Sequence, residues 1–132
     1  MAYRKPPFFT RKVFNPLAMR FGVAGAETLT VRGRRTGEPR SVPVIPVEHD
    51  GQRYLVSPRG EADWVKNLRA VGGRGELTAG GRTEPFRATE VPVPERGPIL
   101  EVYRQVAGRA VAPHFAALPD PADHPVFRVA AP

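Results

Sequence analysis

Apolar and polar residues alternate along much of this chain in short runs, a pattern that predicts β-strands separated by turns. The strands are expected over residues 28–33, 40–49, 52–57, 75–79, 84–91 and 125–129. Asp50-Gly51, between the second and third runs, is typical of a two-residue hairpin turn. Pro43 and Pro46 each remove a hydrogen-bond donor from the second run, which predicts an edge strand or a bulge there.

Three other segments have apolar residues at helical spacing. Residues 61–70 predict a helix that starts with acidic side chains and ends at Gly72-Gly73, and residues 96–108 predict a second helix, followed by a Pro-rich loop. Residues 8–21 predict a short amphipathic helix with basic residues beside its apolar stripe, interrupted by a proline. Strands joined by hairpins, with two or three short flanking helices, indicate an α+β fold built on a small, mostly antiparallel barrel.

The length and the cysteine and histidine content narrow the class of protein. The 132 residues suffice for one domain with its own core, expected to span 1–132 with an N-terminal helical segment over 1–26. The lack of cysteine excludes disulfides and thiolate metal sites, and the three histidines are too scattered for a helical metal site, so no metal is expected. Because no signal peptide or membrane-spanning run is recognisable, a cytoplasmic location is expected.

The positive charge is concentrated in one part of the sequence. The formal net charge is +7, and residues 1–40 hold nine basic and two acidic residues. Residues 41–132 hold eleven of each, so the whole excess lies in the first third of the chain. A localised excess favours an anionic partner. Because the helix over 8–21 belongs to this basic part, it could either pack on the barrel or make a peripheral contact with a membrane.

The segment VRGRRTGEPRSVPV, residues 31–44, places four arginines around a turn between two predicted strands. A guanidinium group offers a fixed fork of donors that matches phosphate and carboxylate groups. Backbone amides near Gly33 and Gly37 could approach the same anion. The hairpin therefore predicts an anion-binding site, with a plain hairpin of solvated arginines as the alternative.

The segment SPRGEADWVKNL, residues 57–68, leads from a strand end through a turn into a helix. The unpaired amides at a helix N-terminus attract anions, and Arg59 adds positive charge there. Trp64 and Asn67 are three residues apart and share one helix face, which could form a flat wall beside a heteroaromatic ligand. The alternative is that Trp64 simply fills the core.

Motifs of several other classes are missing from the sequence. The chain has neither a G-x-S-x-G nucleophile elbow nor a cysteine, so acyl transfer has little support. It also lacks a G-x-G-x-x-G turn before a helix and a P-loop, which disfavours the ordinary nucleotide-binding folds. Nucleic-acid binding is disfavoured as well, because no aromatic stacking residues alternate with the arginines of the hairpin.

Taken in order, GRRTGEPRSVPV, DGQRYLVSPRGEADWVKNLRA and DHPVFRV resemble the deazaflavin-dependent nitroreductase family. Its members are small split β-barrel oxidoreductases of actinobacteria that use the 8-hydroxy-5-deazaflavin coenzyme F-420. The resemblance runs from about Leu29 to Leu77 and returns at the C-terminal strand. It implies hydride transfer from the reduced coenzyme to a quinone, an enone or a nitroaromatic acceptor.

The resemblance also implies roles for individual residues. The phosphate and glutamate tail of the coenzyme would bind Arg34, Arg35, Thr36, Gly37, Arg40 and Ser41, and its middle would lie against Pro43 and Val44. The opposite wall and the border of the deazaflavin ring would be formed by Ser57, Arg59, Gly60, Trp64 and Asn67.

The candidate proton donors differ from those of the nitroimidazole-reducing members of that family. Those members carry tyrosines on the strand after the proline and in the C-terminal helix and loop, whereas this chain has Ile45 on that strand and no tyrosine in residues 108–115. Tyr54, Tyr103 and His114 are the remaining candidates for proton or hydrogen-bond donation.

Two alternatives remain on the same barrel. One is a non-catalytic protein that binds a fatty acid or another hydrophobic anion, which the basic amphipathic segment suggests. The other is a relative that binds FMN in place of the deazaflavin. The expected partners of the leading hypothesis are the coenzyme and a small hydrophobic electron acceptor, and the expected assembly is a monomer or a homodimer.

Overall fold

The computed structural model describes residues 25–132, so the helix predicted over 8–21 and most of the segment predicted over 1–26 lie outside the described residues. Seven strands and three α-helices follow one another in this part of the chain. The strands are β1 (Glu27–Arg32), β2 (Pro39–Val44), β3 (Val47–His49), β4 (Gln52–Val56), β5 (Arg74–Ala79), β6 (Arg82–Glu90) and β7 (Val126–Ala130). The helices are α1 (Asp63–Ala70), α2 (Gly97–Ala107) and α3 (Ala112–Ala117), with 3-10 turns at Val93–Glu95, Gly108–Ala110 and Pro121–Asp123. Within residues 25–132, none of the helices has the length and apolar character needed to cross a bilayer.

All seven strands form one antiparallel sheet in the order β2-β1-β5-β6-β7-β4-β3. Its two edge strands, β2 and β3, are consecutive in the chain and are joined by Ile45 and Pro46. Three residues of extended chain reach no farther than about 11 Å. Because the connection from Val44 to Val47 is this short, the two edges are held together and the sheet must curl. The predicted α+β fold with a split β-barrel is confirmed.

The region predicted as one strand over 40–49 is divided into β2 and β3, so that part of the prediction is wrong. Pro46 lies in the link between them, where no ladder donor is needed. Pro43 lies in β2 opposite Thr28 of β1, which among the described strands is the only one paired with β2. An edge strand can lack a donor without leaving a further strand unsatisfied. The prediction that the prolines mark a sheet edge is therefore confirmed.

The Asp50-Gly51 turn joins β3 to β4 with His49 directly opposite Gln52. Both turn residues have a positive φ, 52° at Asp50 and 74° at Gly51, as a type I′ turn requires. Glycine adopts this conformation without steric cost and aspartate tolerates it. The local sequence therefore specifies this hairpin, and its prediction is confirmed.

Apolar side chains form two clusters on opposite faces of the sheet. Leu55 of β4 belongs to one cluster and its neighbours Tyr54 and Val56 belong to the other, as expected for successive residues of a strand. The barrel cluster packs α1 against the curled sheet and consists of Leu29, Val31, Val44, Leu55, Val65, Leu68, Leu77, Phe86 and Phe127. The outer cluster packs α2 and α3 against β3, β4 and β7 and includes Val47, Ile99, Leu100, Tyr103, Phe115 and Val126. These two packings hold α1 and the C-terminal segment in place around the barrel.

The segment predicted as a Pro-rich loop contains helix α3, so the loop prediction is wrong there. Pro113 lies in the first turn of α3, where a missing N–H group is not needed for helical hydrogen bonds. The Phe115 ring is buried, with its centroid 6.2 Å from that of Tyr103 and 4.1 Å from that of His124. A helix of six residues is too short to be stable alone, so these tertiary contacts determine its formation.

A buried arginine ties the C-terminal segment to the barrel. Arg96, whose side chain lies just before α2, donates to the carbonyl oxygens of Val91 at 2.9 Å, Pro121 at 3.2 Å and His124 at 3.2 Å. A fourth contact of 3.3 Å reaches the carboxylate of Glu90. Together these acceptors fix the segment that leads into β7.

Candidate functional site

A cleft of about 560 Å³ lies between the β1–β2 hairpin and helix α1. One wall consists of β2 and the loop at residues 33–38, and the other consists of the loop after β4 and the start of α1. The predicted binding residues that line the cleft are Arg34, Arg35, Thr36, Arg40, Ser41, Pro43, Ser57, Arg59, Trp64 and Asn67. Gly33, whose amide was expected to approach an anion, also lines the cleft, and the lining residues that were not predicted are Val31, Val42, Pro58, Ala62 and Asp63.

Three of the predicted binding residues do not line the cleft. Val44 is buried in the barrel cluster. Gly37 is exposed at the tip of the hairpin, where its carbonyl oxygen accepts from the Arg32 guanidinium at 2.7 Å. Gly60 is buried, and its carbonyl oxygen accepts from the Ser57 hydroxyl at 2.6 Å.

The backbone amides of the hairpin loop are engaged within the loop itself. The Gly33 N–H group donates to the Glu38 carbonyl oxygen at 2.8 Å, and the Gly37 N–H group donates to the Gly33 carbonyl oxygen at 2.9 Å. The Thr36 hydroxyl accepts from the Glu38 N–H group at 3.1 Å. The two amides that were expected to approach an anion are therefore occupied, and this wall presents guanidinium donors instead.

Arg34 connects the two walls of the cleft. Its backbone N–H group and its Nη1 atom both donate to Asn67 Oδ1, at 3.0 Å and 2.7 Å. Its Nη2 atom lies 3.4 Å from Asp63 Oδ1. Asn67 is buried on α1, and its carbonyl oxygen is committed to Arg34. What Asn67 can offer to a ligand is its side-chain NH₂ group, which has no partner within residues 25–132.

Three further arginines line the cleft with their charges uncompensated. Arg35, Arg40 and Arg59 are exposed, and none forms an ion pair with another residue in the described part of the chain. Asp63 is the one acidic residue in the described lining, and it faces Arg34. The cleft therefore carries a net positive charge, which suits a ligand with several anionic groups.

Trp64 forms an apolar section of the α1 wall. Its indole is half-buried and packs against the barrel cluster, with its centroid 5.9 Å from that of Phe127 and the two rings tilted by 55°. The same side chain also lines the cleft. One part of the indole thus contacts the core and another part faces the cleft, and its role beside a heteroaromatic ligand stays a prediction.

The wall loop, residues 57–60, is attached to the C-terminal segment. The Ser57 side chain is fully buried, and its backbone N–H group donates to the Pro125 carbonyl oxygen at 2.9 Å. The Ser57 carbonyl oxygen contacts His124 Nδ1 at 3.0 Å. The position of Arg59 therefore depends on residues that lie about 65 positions later in the sequence.

The structure separates the three candidate proton donors from the cleft. Tyr54 and Tyr103 are buried in the outer cluster, and His114 lies on α3; none of them lines the cleft. Burial raises the pKa of the Tyr103 phenol, so this group stays neutral over the physiological range. As proton or hydrogen-bond donors to a ligand, these three residues stay predictions without a position in the described lining.

Asn67→Leu is expected to lower the free energy of unfolding by about 1–3 kcal/mol, because two N–H groups of Arg34 lose their shared acceptor. Urea denaturation measures this effect. The control is Asn67→Asp, which keeps an oxygen acceptor at the same position and should lose less stability than the leucine variant. Equal stability of the leucine variant and the unmodified protein would mean that the Arg34–Asn67 contacts contribute little.

Residues 4–116 match the family model described as F-420H(2)-dependent quinone reductase. The matched span covers most of the chain and contains all of the described lining of the cleft. No curated protein gives a significant match to the chain.

Several solved structures resemble this fold over most of its length. One, an F-420-H2-dependent reductase called FDR-A, is 24% identical, covers 81% of this chain and 95% of its own, and has a TM-score of 0.60. A second, described as a domain-swapped dimer, is 21% identical, covers 96% of this chain and 100% of its own, and has a TM-score of 0.59. A NimC/NimA family protein from Clostridium acetobutylicum is 13% identical, covers 89% of this chain and 88% of its own, and has a TM-score of 0.54. At these identities the likeness concerns the fold.

Proposed function

Because this chain belongs to the F-420H(2)-dependent quinone reductase family, we propose that it is a reductase that binds coenzyme F-420 in the cleft between the β1–β2 hairpin and helix α1. The observation that carries this proposal is the pairing of uncompensated guanidinium groups with an indole wall in one cleft. Coenzyme F-420 has an anionic tail and a planar head, and the described lining offers a counterpart to each.

Different residues of the lining would contact different parts of the coenzyme. Arg35, Arg40 and Arg59 would bind the phosphate and the carboxylates of the tail through charge-assisted hydrogen bonds. Trp64 would lie beside the planar ring, and the free NH₂ group of Asn67 would donate a hydrogen bond to it. The reduced coenzyme, when bound, supplies a hydride. The contribution of the protein itself would be to bind both reactants, to orient them and to shield them from water.

We assign a quinone as the acceptor, with enones and nitroaromatics as related acceptors. The described lining contains no tyrosine, histidine or glutamate side chain, and its exposed guanidinium groups are assigned to the coenzyme tail. The described lining therefore offers the acceptor no side chain that readily releases a proton at neutral pH. A quinone suits this arrangement, because its reduction gives a stabilised hydroquinone anion that can take its proton from water.

A fluorescence titration with coenzyme F-420 tests the binding step, and oxidation of the reduced coenzyme by menadione tests the reaction. Binding at micromolar concentration and turnover with menadione are the expected results. Failure to bind at tens of micromolar coenzyme would remove the proposal. A yellow protein with flavin absorption would instead support an FMN-binding relative, and a co-purified fatty acid without deazaflavin binding would support the hydrophobic-anion alternative.

Arg35→Ala is expected to weaken coenzyme binding by about 10-fold to 100-fold, since a charge-assisted hydrogen bond contributes about 1.5–3 kcal/mol. The affinity of the variant should also depend less on salt than that of the unmodified protein. The control is Arg109→Ala, which removes the same charge from an exposed position outside the cleft. Equal losses in both variants would show a general electrostatic effect and not a contact at Arg35.

The cytoplasmic location and the monomeric or homodimeric assembly expected from the sequence stay predictions for the proposed reductase. Size-exclusion chromatography with light scattering measures the assembly, and vesicle sedimentation of the full chain measures any peripheral membrane contact.

A further inference from the structure

Asn67 carries a buried hydrogen-bond donor that faces no acceptor in the described part of the protein. The residue is 5% exposed, and its Oδ1 atom accepts two hydrogen bonds from Arg34, at 3.0 Å and 2.7 Å. Because both bonds come from N–H groups, they determine which end of the amide is the oxygen. The NH₂ group at the other end has no partner within residues 25–132, although Asn67 lines the cleft. A ligand that brings a carbonyl oxygen to this group would remove the cost of the unpaired donor.

Asp63 lies one helical turn before Asn67 on α1, so the two side chains share one face of the helix. Its Oδ1 atom lies 3.4 Å from Nη2 of Arg34, whose Nη1 atom donates to Asn67. One planar guanidinium group thus holds the two side chains next to each other in the lining of the cleft. Oδ2 of Asp63 accepts no hydrogen bond from any of the described residues, and 42% of the side chain is exposed. The cleft therefore presents a free donor beside a free acceptor.

A donor beside an acceptor complements a ligand edge on which a carbonyl oxygen stands next to an N–H group. Cyclic imides and lactams have such an edge. The pyrimidinedione ring at one end of a deazaflavin is a cyclic imide, in which one N–H group lies between two carbonyl groups. Asn67 would donate to a carbonyl oxygen of this edge, and Asp63 would accept from the neighbouring N–H group. The bond to Asp63 would be the stronger of the two, because its acceptor is ionised.

The carboxylate of Asp63 also affects the direction in which an anionic coenzyme can lie in the cleft. Asp63 is the one acidic residue of the described lining, whereas Arg35 and Arg40 belong to the hairpin wall. A phosphate or a carboxylate of the ligand placed against Asp63 would meet a like charge, which weakens binding. The pyrimidinedione end is therefore expected at α1 and the anionic tail at the hairpin.

We propose that Asp63 and Asn67 form an imide subsite, which binds the pyrimidinedione edge of the coenzyme ring, and that Asp63 determines its specificity for the imide N–H group. Arg34 is a positioning residue of this subsite, because it holds both side chains in place. The inference rests on the function proposed above, since it states how the ring of the coenzyme would be recognised. The contrasting role for Asp63 is a structural one, limited to its ion pair with Arg34.

A binding comparison of two ligands with two proteins tests the imide subsite. The ligands are 8-hydroxy-5-deazariboflavin, which has the ring of the coenzyme without its phosphate and glutamate tail, and the N3-methyl derivative of that compound. Because the methyl group replaces the imide hydrogen, the unmodified protein is expected to bind the derivative about 10-fold more weakly. In Asp63→Ala the N–H group has no acceptor, so methylation should change the affinity by less than about 2-fold. Fluorescence titration gives all four dissociation constants.

Glu61→Ala is the matched control, because it removes a carboxylate two positions earlier, from an exposed residue outside the described lining. This variant should keep the full effect of methylation. If Asp63 has only a structural role, Asp63→Ala will lower the affinity for both ligands equally and leave their ratio unchanged, which would overturn the proposal. Failure of the unmodified protein to bind the tail-less ring at about 1 mM would overturn it as well, because the subsite would then give no measurable recognition of its own.

A parallel titration with coenzyme F-420 separates this inference from the proposed function. If the coenzyme binds but the effect of methylation does not depend on Asp63, the imide subsite is wrong and the proposed function stands. If the protein binds FMN instead, the proposed function fails. Riboflavin and N3-methylriboflavin then decide the subsite in the same comparison, because flavins have the same imide edge. If neither coenzyme binds, both proposals are wrong.

Discussion

Arg96→Met is expected to lower the free energy of unfolding by about 3–5 kcal/mol, one of the two largest effects we predict for a single substitution in this protein. The Arg96 side chain donates to three backbone carbonyl oxygens and contacts one carboxylate, all near the start of α2. Methionine fills a similar volume but donates nothing, so the carbonyl oxygens of Val91 and His124 lose this donor, while that of Pro121 keeps the N–H group of His124. Urea denaturation monitored by far-UV circular dichroism measures the loss.

The control for this prediction is Arg69→Met, which removes an arginine of the same network from a more exposed position. Arg69 bonds to Glu61 and Glu90 with 38% of its side chain exposed, so its removal should cost no more than about 1 kcal/mol. Its hydrogen bonds to Glu61 hold the pKa of that carboxyl below the ordinary value. This small contribution is therefore present at neutral pH and is lost as pH falls through the folded pKa of Glu61. Equal losses of stability in the two variants would contradict the prediction, because they would show that burial does not increase the contribution of Arg96.

Gly73→Ala is expected to destabilise the protein by about 3 kcal/mol or more. Gly73 connects α1 to β5 with a φ of +83°, a conformation that costs an L-residue about 1–2 kcal/mol. A Cβ atom at this position would lie 2.2 Å from the Ala88 carbonyl oxygen, so the backbone of β6 would have to move. That movement would break the bond from the Ala88 N–H group to the Gly73 carbonyl oxygen, now 2.7 Å long. Thermal or urea denaturation measures the effect.

The neighbouring Gly72→Ala provides a matched control for the steric part of this prediction. Gly72 has a similar φ of +69°, but a Cβ atom there meets nothing within 4 Å. Its substitution should cost about 1–2 kcal/mol from the backbone conformation alone. The difference between the free energies of unfolding of the two variants isolates the contact with Ala88. A difference near zero would show that β6 can move away from the added Cβ atom without a loss of stability.

The features that the sequence predicts well are those with a local physical cause. The Asp50-Gly51 turn is specified by the conformations that its two residues tolerate, and the prolines of the second strand mark a sheet edge because they lack donors. Trp64 and Asn67 are three residues apart on α1 and therefore share one helix face, and both side chains line the cleft. Each of these follows from a few neighbouring residues.

The features that the sequence does not predict depend on distant contacts. Helix α3 exists because Phe115 packs between Tyr103 and His124, and no pattern within six residues reveals that packing. The commitment of the Asn67 oxygen to Arg34 depends on how the hairpin approaches α1. The burial of Arg96 requires the fold to be complete, since its acceptors are backbone atoms that carry no sequence signal.

The sheet order has a consequence for the synthesis of this protein on the ribosome. Strand β7 lies between β6 and β4, and in the described sheet it is the link that joins the β3–β4 hairpin to the remaining strands. The wall loop at Ser57 gains its contacts with His124 and Pro125 only when that part of the chain has emerged. At a translation rate of about 5–20 residues per second, the roughly 70 intervening residues take about 4–14 s. During that time the β3–β4 hairpin and α1 can already be present in the nascent chain, but the wall loop still lacks its contacts with the C-terminal segment.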